Sequence, residues 1–375
     1  MAKKHHPGKN VAKPKAKPQA KPKPTSTSAS TVALPPQDVK HQQTLLTLFS
    51  STFDEILKSD DIAATIQNIK AALYDRDFAK AFGTETYLEA YAARWSPTRA
   101  LGYANVLEGL HATWLEPLLT DQIGDVSQEE GDRSEGMDRK ISEEAETDSI
   151  PKTLKSKMNV LSIGGCAAEH VAFASYLSQH SLSCSLTLLD SAPWGSITDR
   201  LQNAIVTQPV LPKYTSASIV AAAEPLLLPE QLDVKFLQKD ALSLPEDEFK
   251  GILGQQPLLV TIFFTLNELY TSAGIGKTTK FVAHLGQLLP SGSILLVLDS
   301  PGSYSEASVG KEKKKYPMQW LLDHTLLETK LEGCKWSKLH CEESIWFRLP
   351  SEGLDYPLQL ENMRYQMHMY QVEKV

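Results

Sequence analysis

The sequence predicts an α/β protein: a doubly wound, mostly parallel sheet that closes on an antiparallel strand pair, preceded by an all-helical module. Three observations predict it. Five short apolar runs recur after Met158, at Val160–Ile163, Leu186–Leu189, Val234–Leu237, Leu258–Phe264 and Ile294–Leu298. Helix-compatible segments such as Ala167–Leu177 and Thr279–Leu289 separate most of them, which implies parallel pairing through right-handed crossovers. Near the end the period becomes two: Met363, Tyr365, Met367 and Met369 alternate with Asn362, Arg364, Gln366 and His368. A preceding alternation of Ile345, Phe347 and Leu349 supplies the partner strand.

Residues 1–36 hold eight lysines before Thr25, no acid, and Lys-Pro four times over. Proline blocks helix and there is almost nothing apolar to bury, so a disordered basic tail is expected. It reads either as a nuclear or nucleolar address that also holds RNA phosphates, or as a solubilising tail. Residues 37–122 read as helical. Leu45, Phe49, Phe53 and Ile56 keep a 3.6 period, as do Ile62, Ile66, Ile69 and Leu73. Another helix has an explicit start, with Ser96 as cap and Pro97 in the first turn, and one face of Tyr103, Val106, Leu107, Leu110 and Trp114. Residues 123–155 are an acidic linker or insertion, with ten acids against three bases over 125–150. The sheet domain is expected over 156–375.

Composition narrows the classes. At 375 residues, 42% hydrophobic and 22% charged, the chain exceeds the roughly 250–300 residues of one core, so a main domain plus an accessory unit is expected. No apolar run approaches the ~18 residues of a membrane span, and the N-terminus lacks the apolar stretch of a secretory signal. Four cysteines without a C-x-x-C pair argue against a disulfide scaffold or structural zinc, so a soluble, reduced, intracellular protein is expected. The formal charge is -7; setting aside +8 in the tail and -7 over 125–150 leaves -8 on everything else. Such a body is no self-sufficient nucleic-acid grip. Binding of that kind needs the tail or a local patch.

Ligands of open parallel sheets bind at the carboxyl ends of the strands. After the first strand comes Ser162-Ile163-Gly164-Gly165-Cys166-Ala167-Ala168-Glu169-His170. Its two glycines permit a tight turn and close approach to a ligand at a helix N-terminus. Asp190 ends the second strand, 26 residues after Gly164, placed to accept both hydroxyls of a ribose. Asp240 follows the third strand and can accept from an exocyclic amine such as that of adenine. Asn267 and Glu268 emerge from the fourth, either facing a reacting group or as a cap and first-turn acid. Lys311 to Lys315, with Lys313 and Lys314 among them, follows the fifth and reads as a phosphate-binding loop or a solvated lysine run. Gly274-Ile275-Gly276-Lys277-Thr278 is no phosphate loop, because Thr271 stands where its first glycine belongs. The histidines lack metal-ligand spacing, so no metal site is expected. Cys166 reads as a small residue chosen for fit.

The glycine turn, the two strand-end acids and the closing antiparallel pair resemble, in that order, the class I S-adenosylmethionine-dependent methyltransferases, whose sheet is Rossmann-like. Tyr91-Ala-Ala-Arg-Trp-Ser-Pro-Thr-Arg-Ala-Leu-Gly-Tyr103, Leu161-Ser-Ile-Gly-Gly165 and Thr265-Leu-Asn-Glu-Leu-Tyr270 together resemble the fungal large-subunit (25S) rRNA uridine-N(3)-methyltransferase family over about residues 40–375. The resemblance implies an S-adenosyl-L-methionine cofactor with Gly164, Gly165, Ser162 and Cys166 at its methionine part, Asp190 on its ribose and Asp240 near adenine. Ser162 departs from the acid that many members carry to the methionine amine, and leaves that contact unassigned. Trp194 packs either on adenine or in the core. The implied reaction is in-line displacement of a sulfonium methyl by uracil N3, with Glu268 accepting the proton and Asn267 holding the uracil oxygens. No Asp/Asn-Pro-Pro-aromatic motif is present, which favours a ring nitrogen over an exocyclic amine. Arg94, Trp95 and Arg99 are expected at the cofactor mouth, the helical module forming a lid over a splayed-out base. The partner implied is large-subunit rRNA or a pre-ribosomal particle, during ribosome synthesis in the nucleus or nucleolus, with the cytoplasm as an additional location. A small-molecule or protein methyltransferase, or a non-catalytic assembly factor that kept the fold, are the alternatives.

Overall fold

The computed structural model describes residues 38–121, 156–209, 216, 223–309 and 312–375. The basic tail and most of the acidic stretch lie outside the described residues. Asp38 opens α1 (Val39–Thr52) by accepting from the N–H groups of Lys40 and His41 at 2.9 and 3.2 Å. Leu45 and Phe49 point inward from α1, and Phe53 and Ile56 continue that stripe into the short α2 (Asp54–Leu57). Ile66 and Ile69 are buried in α3 (Ile62–Tyr74). After α4 (Phe78–Ala81), Thr84 caps α5 (Glu85–Arg94) through Tyr87 N–H at 3.3 Å. In α6 (Ser96–Leu110), Tyr103, Val106, Leu107 and Leu110 are buried. The start of α6 corrects the sequence reading. Trp95 stays close to helical space (φ -109°, ψ -31°), so Ser96 falls inside the helix, with its Oγ buried and capping nothing.

A two-residue strand β1 (Thr120–Asp121) pairs with the start of β2 (Ser156–Ile163). The alternation then runs α7 (Ala167–His180), β3 (Ser183–Asp190), α8 (Gly195–Val206), β4 (Leu232–Gln238), α9 (Glu246–Leu253) and β5 (Leu259–Phe263). It continues through α10 (Leu266–Ser272), α11 (Ile275–Leu288) and β6 (Ile294–Asp299). A hairpin of β7 (Tyr304–Val309) and β8 (Glu312–Pro317), then α12 (Met318–Asp323), lead to β9 (Cys334–Phe347) and β10 (Met363–Lys374). Strand order is β4-β3-β2-β5-β6-β10-β9. The members from β4 to β6 are parallel, and β10 runs antiparallel to both β6 and β9. The order reverses between β2 and β5, which creates a crevice at their carboxyl ends.

Two findings differ from the alternation read in the tail. Gln366 and His368 are buried although period two puts them opposite the methionines. The reason is that β10 is an interior strand with both faces covered. Met363, Tyr365, Met367 and Met369 join one apolar cluster, Tyr370 and Val372 the other. Leu349 lies beyond β9, where its N–H donates to Asn362 Oδ1 at 2.8 Å.

The helical region packs directly on the sheet. Leu45, Phe49, Leu88 and Tyr103 share one apolar cluster with Phe173 of α7, Leu201 of α8 and Met367 of β10. Residues 39–118 therefore belong to the same compact unit as the sheet, Thr31–Val375.

Candidate active site at the carboxyl ends of the parallel strands

The turn after β2 is set by close approach. Gly164 has φ +72°, and a Cβ there would lie 2.3 Å from Thr265 Oγ1. A Cβ on Gly165 would lie 2.0 Å from Ser162 Oγ. Ser162, expected at the methionine part of the cofactor, does not line the cavity. Its side chain is fully buried between β2 and β5, accepting from Thr261 Oγ1 at 2.9 Å, and it supports the turn from beneath. Gly165 does not line the cavity either; Gly164 and Cys166 do. Burial pushes the Cys166 thiol well above its ordinary range, so it stays protonated.

Above the turn is a cavity of about 190 Å³. One wall is aromatic: Tyr91 meets Phe82 edge-on at 5.1 Å and Trp194 at 5.8 Å. Trp194 is thus both buried and a cavity wall. The charged lining is Glu169, Asp190, Asp240 and Glu268, with Arg99 and Lys239. Asp190 Oδ1 accepts from Ala192 N–H at 2.7 Å, which orients the carboxylate at the end of β3, and burial raises its pKa to about 6. Its carbonyl accepts from Lys239 N–H at 2.8 Å, tying the ends of β3 and β4 together. Asp240 sits at the exposed rim. Its carboxylate caps the following turn through Leu242 N–H (2.9 Å) and Ser243 Oγ (2.7 Å).

Glu169, which is buried, and Glu268, which is half-buried, surround one guanidinium. Glu169, in the first turn of α7, accepts from Cys166 N–H at 2.9 Å, and Glu268 lies in the first turn of α10. Burial raises each to about 7, and Arg99 opposes the rise in both. Burial works against the charge on Arg99 as well. Tyr91, Tyr103 and the glutamates outweigh that and raise its pKa, so it stays protonated. Arg99 donates to Tyr91 Oη and lies 5.1 Å from the ring of Phe264. Phe264 is itself held at φ +52°, a rare backbone state for a residue with a side chain.

The remaining expected residues fall elsewhere. Asn267 does not line the cavity. Its N–H donates to Asp299 Oδ2 at 3.0 Å and its Oδ1 is buried without a partner. The cap of α10 comes from the end of β6: Asp299 also accepts from Ser300 N–H at 2.7 Å and Ser303 Oγ at 3.1 Å. Arg94 is buried and pairs with Glu361, and Trp95 packs on Tyr91 at 5.0 Å; neither reaches the cavity. Of the three residues expected at the mouth, Arg99 alone lines it. Lys313 and Lys314 lie on β8, in a hairpin and not a loop, and Lys314 does not line the cavity. Among the described residues no group of three or more His, Cys, Asp or Glu is placed to hold a metal.

Sequence reasoning missed Glu169, Tyr91 and Phe82. Glu169 left a signal, an acid three residues after the last turn residue, which is the spacing of a capping box. The aromatics left none, because they come from helices distant in sequence. The donor set fits an adenosyl sulfonium: four carboxylates against two cations for a ligand with positive charge, an oriented carboxylate for a diol, and aromatic walls for a flat base.

A family model described as "Putative SAM-dependent methyltransferase" matches residues 49–371. The "25S rRNA (uridine(2843)-N(3))-methyltransferase" of Saccharomyces cerevisiae is 29% identical over 347 residues, covering 90% of this chain and 86% of that protein. Among solved structures, an O-methyltransferase family protein from Burkholderia thailandensis is 13% identical with a TM-score of 0.36, over 92% of this chain and 74% of that one. The N-methyltransferase NodS from Bradyrhizobium japonicum, in complex with S-adenosyl-L-homocysteine, is 12% identical with a TM-score of 0.26, over 57% and 77%.

Proposed function

This chain belongs to the family of S-adenosylmethionine-dependent methyltransferases, and from that premise we propose that it methylates N3 of a uridine in large-subunit ribosomal RNA. The substrate reading draws on the yeast 25S rRNA uridine-N(3)-methyltransferase, similar across 90% of this chain. S-adenosylmethionine, when bound, supplies an electrophilic methyl group. Gly164 lets the backbone come close to its methionine part, Asp190 takes the ribose hydroxyls, and Asp240 with the turn it caps borders the adenine.

The observation that carries the reaction is Glu268, which lines the cavity half-buried, with its pKa raised to about 7 and a guanidinium nearby. Neutral uracil N3–H is weakly acidic, so its nitrogen lone pair becomes a nucleophile only as the proton leaves. Glu268 accepts that proton. Arg99 offsets the negative charge that develops on the uracil ring. Tyr91 holds Arg99 in place through its hydroxyl. Asn267, outside the cavity lining, belongs to the junction with Asp299 that aims Glu268.

The proposed setting is ribosome synthesis in the nucleolus, supported by the eight lysines of residues 1–24. Fluorescently tagged protein lacking residues 1–36 should lose nucleolar enrichment, and retained enrichment refutes that address. For the reaction, purified protein and labelled S-adenosylmethionine are incubated with large-subunit RNA from cells lacking the gene, and the labelled nucleoside is identified. Label in 3-methyluridine, lost in Asp190→Ala, is the expected result. Label in any other nucleoside, or in protein alone, refutes the reading.

A further inference from the structure

We propose that Trp346, Arg348 and Arg364 form a docking platform for a single-stranded RNA segment flanking the target nucleotide. The proposal rests on the RNA-substrate reading and adds a surface to it.

The body of the chain outside the tail and the acidic stretch carries a net charge of -8, so an RNA strand needs a local positive patch. The end of β9 and the start of β10 provide one. Trp346 is 46% exposed, unlike the chain's buried Trp194 and Trp336. The Arg348 guanidinium lies 4.7 Å and that of Arg364 5.6 Å from its ring centroid. Arg364 Nε donates to Ser344 Oγ at 2.9 Å, which steadies its guanidinium over the ring. Among the described residues no carboxylate lies within ion-pair distance of Arg364. An apolar plane left in water beside two cations has no role in the core. It matches a nucleotide, which brings a flat base and a phosphate together.

Topology puts the platform at the catalytic edge. Arg364 lies opposite Trp346 in the β9–β10 register, and Gln366, two residues further on, lies opposite Asp299, the residue that caps α10. Phe347, Met363 and Tyr365 turn into the core, so the intervening Trp346 and Arg364 face outward. The order β5-β6-β10-β9 separates the strand before Glu268 from Trp346 by three steps, on the order of 15 Å at ~4.8 Å each. Nucleotides next to a base held in the cavity can reach that far. As the edge strand, β9 leaves the approach open.

The test uses full-length protein and two probes, a mixed-sequence 12-nucleotide RNA and large-subunit RNA, with affinity measured across a potassium chloride series. Arg348→Ala/Arg364→Ala should lose about tenfold in affinity and flatten the log–log salt slope by about 1.4, at ~0.7 per phosphate contact on a single strand. Trp346→Ala should lose about fivefold or more and Trp346→Phe should keep most of the affinity, because stacking needs a ring and not an indole. S-adenosylmethionine affinity and thermal midpoint should not change in any of them. KM for RNA should rise with kcat steady. As a charge control, Lys58→Ala/Lys250→Ala removes the same charge from a remote surface and should leave RNA binding intact. Wild-type affinity and salt slope in both platform variants overturn the proposal, as does an equal loss in the lysine control. A wild-type protein that binds RNA through this surface yet methylates none of it would instead sink the uridine reading and leave the platform standing.

Discussion

Glu268 and Glu169 show how a single residue type takes different work from its surroundings. Both are first-turn acids pushed to about 7 by burial; Glu169 has its carboxylate engaged by Cys166 N–H, whereas among the described residues no hydrogen bond engages that of Glu268. Glu268→Gln should therefore lower single-turnover methylation by about 10²–10³-fold while leaving S-adenosylmethionine affinity near wild type. In the wild type the rate should rise with pH through about 7 as Glu268 loses its proton. A Glu268→Gln protein with wild-type turnover across pH would remove the proton-acceptor role. Stability carries the same titration. Glu169 holds its proton more tightly in the fold, at about 7, than in the unfolded chain, near 4.5. Its contribution is full below about 4.5 and is lost as pH rises through 7. Wild type should thus lose thermal stability relative to Glu169→Gln between pH 5 and 8. Buried His170, lowered to about 4, acts in the opposite direction over lower pH. The difference between the two proteins is therefore the quantity to read. Asp190 and Asp240 were legible as strand-end acids because chain order alone places them. Ser162 and Asn267 fall outside the cavity lining, since neighbours in sequence can face the interior of a strand or the back of a helix.

Elements decide where those residues point. The β2–α7 turn leaves no room for a side chain at either glycine, and Gly164 also needs a left-handed backbone. Gly164→Ala should cost about 1–3 kcal/mol of stability and weaken S-adenosylmethionine binding by tenfold or more in calorimetry. Binding at wild-type strength would show that the turn does not touch the cofactor. At the other strand end, Asp299 does two jobs: it caps α10 and its charge helps raise the Glu268 pKa. Asp299→Asn keeps an acceptor for the cap but removes the charge, so the pH–rate inflection should move to lower pH. Asp299→Ala should in addition lose about 1 kcal/mol of stability from the cap. An unmoved inflection in Asp299→Asn would dissociate the two carboxylates. The five parallel strands and α7 and α11 were legible from apolar runs and spacing. The interior position of β10 was not, because alternation marks a strand with one covered face and cannot report what lies on the other side.

At the scale of the molecule, the helical region is part of the enzyme's core. Helices α5 and α6 bring Tyr91 and Arg99 to the cavity, and the same helices bury Tyr103 against Phe263 at 4.7 Å between ring centroids. A fragment of residues 156–375 should therefore expose the apolar face of α7 and β10 and be insoluble or bind hydrophobic dye. A soluble, cooperatively melting fragment that binds S-adenosylmethionine would show that the helices are dispensable. Among the described residues no helix is long and apolar enough to cross a membrane. The catalytic edge combines the cavity, the α10 cap and the Trp346 surface, each reached through a different strand of one sheet.

The amino-acid pattern by itself determined the element order, the parallel sheet with its reversed end, the glycine turn and the two strand-end acids. These are properties of local period and of topology, and both are written along the chain. Only the tertiary structure decided which polar residues share the cavity, why Arg99 reaches it and Arg94 does not, and which glutamates are buried enough to hold a proton near neutrality. Those outcomes depend on which distant side chain excludes water or offers an opposite charge. Glu361 draws Arg94 away, Tyr91 holds Arg99, and Asp299 aims α10. Such partners lie up to 267 residues apart, and no window along the sequence contains them.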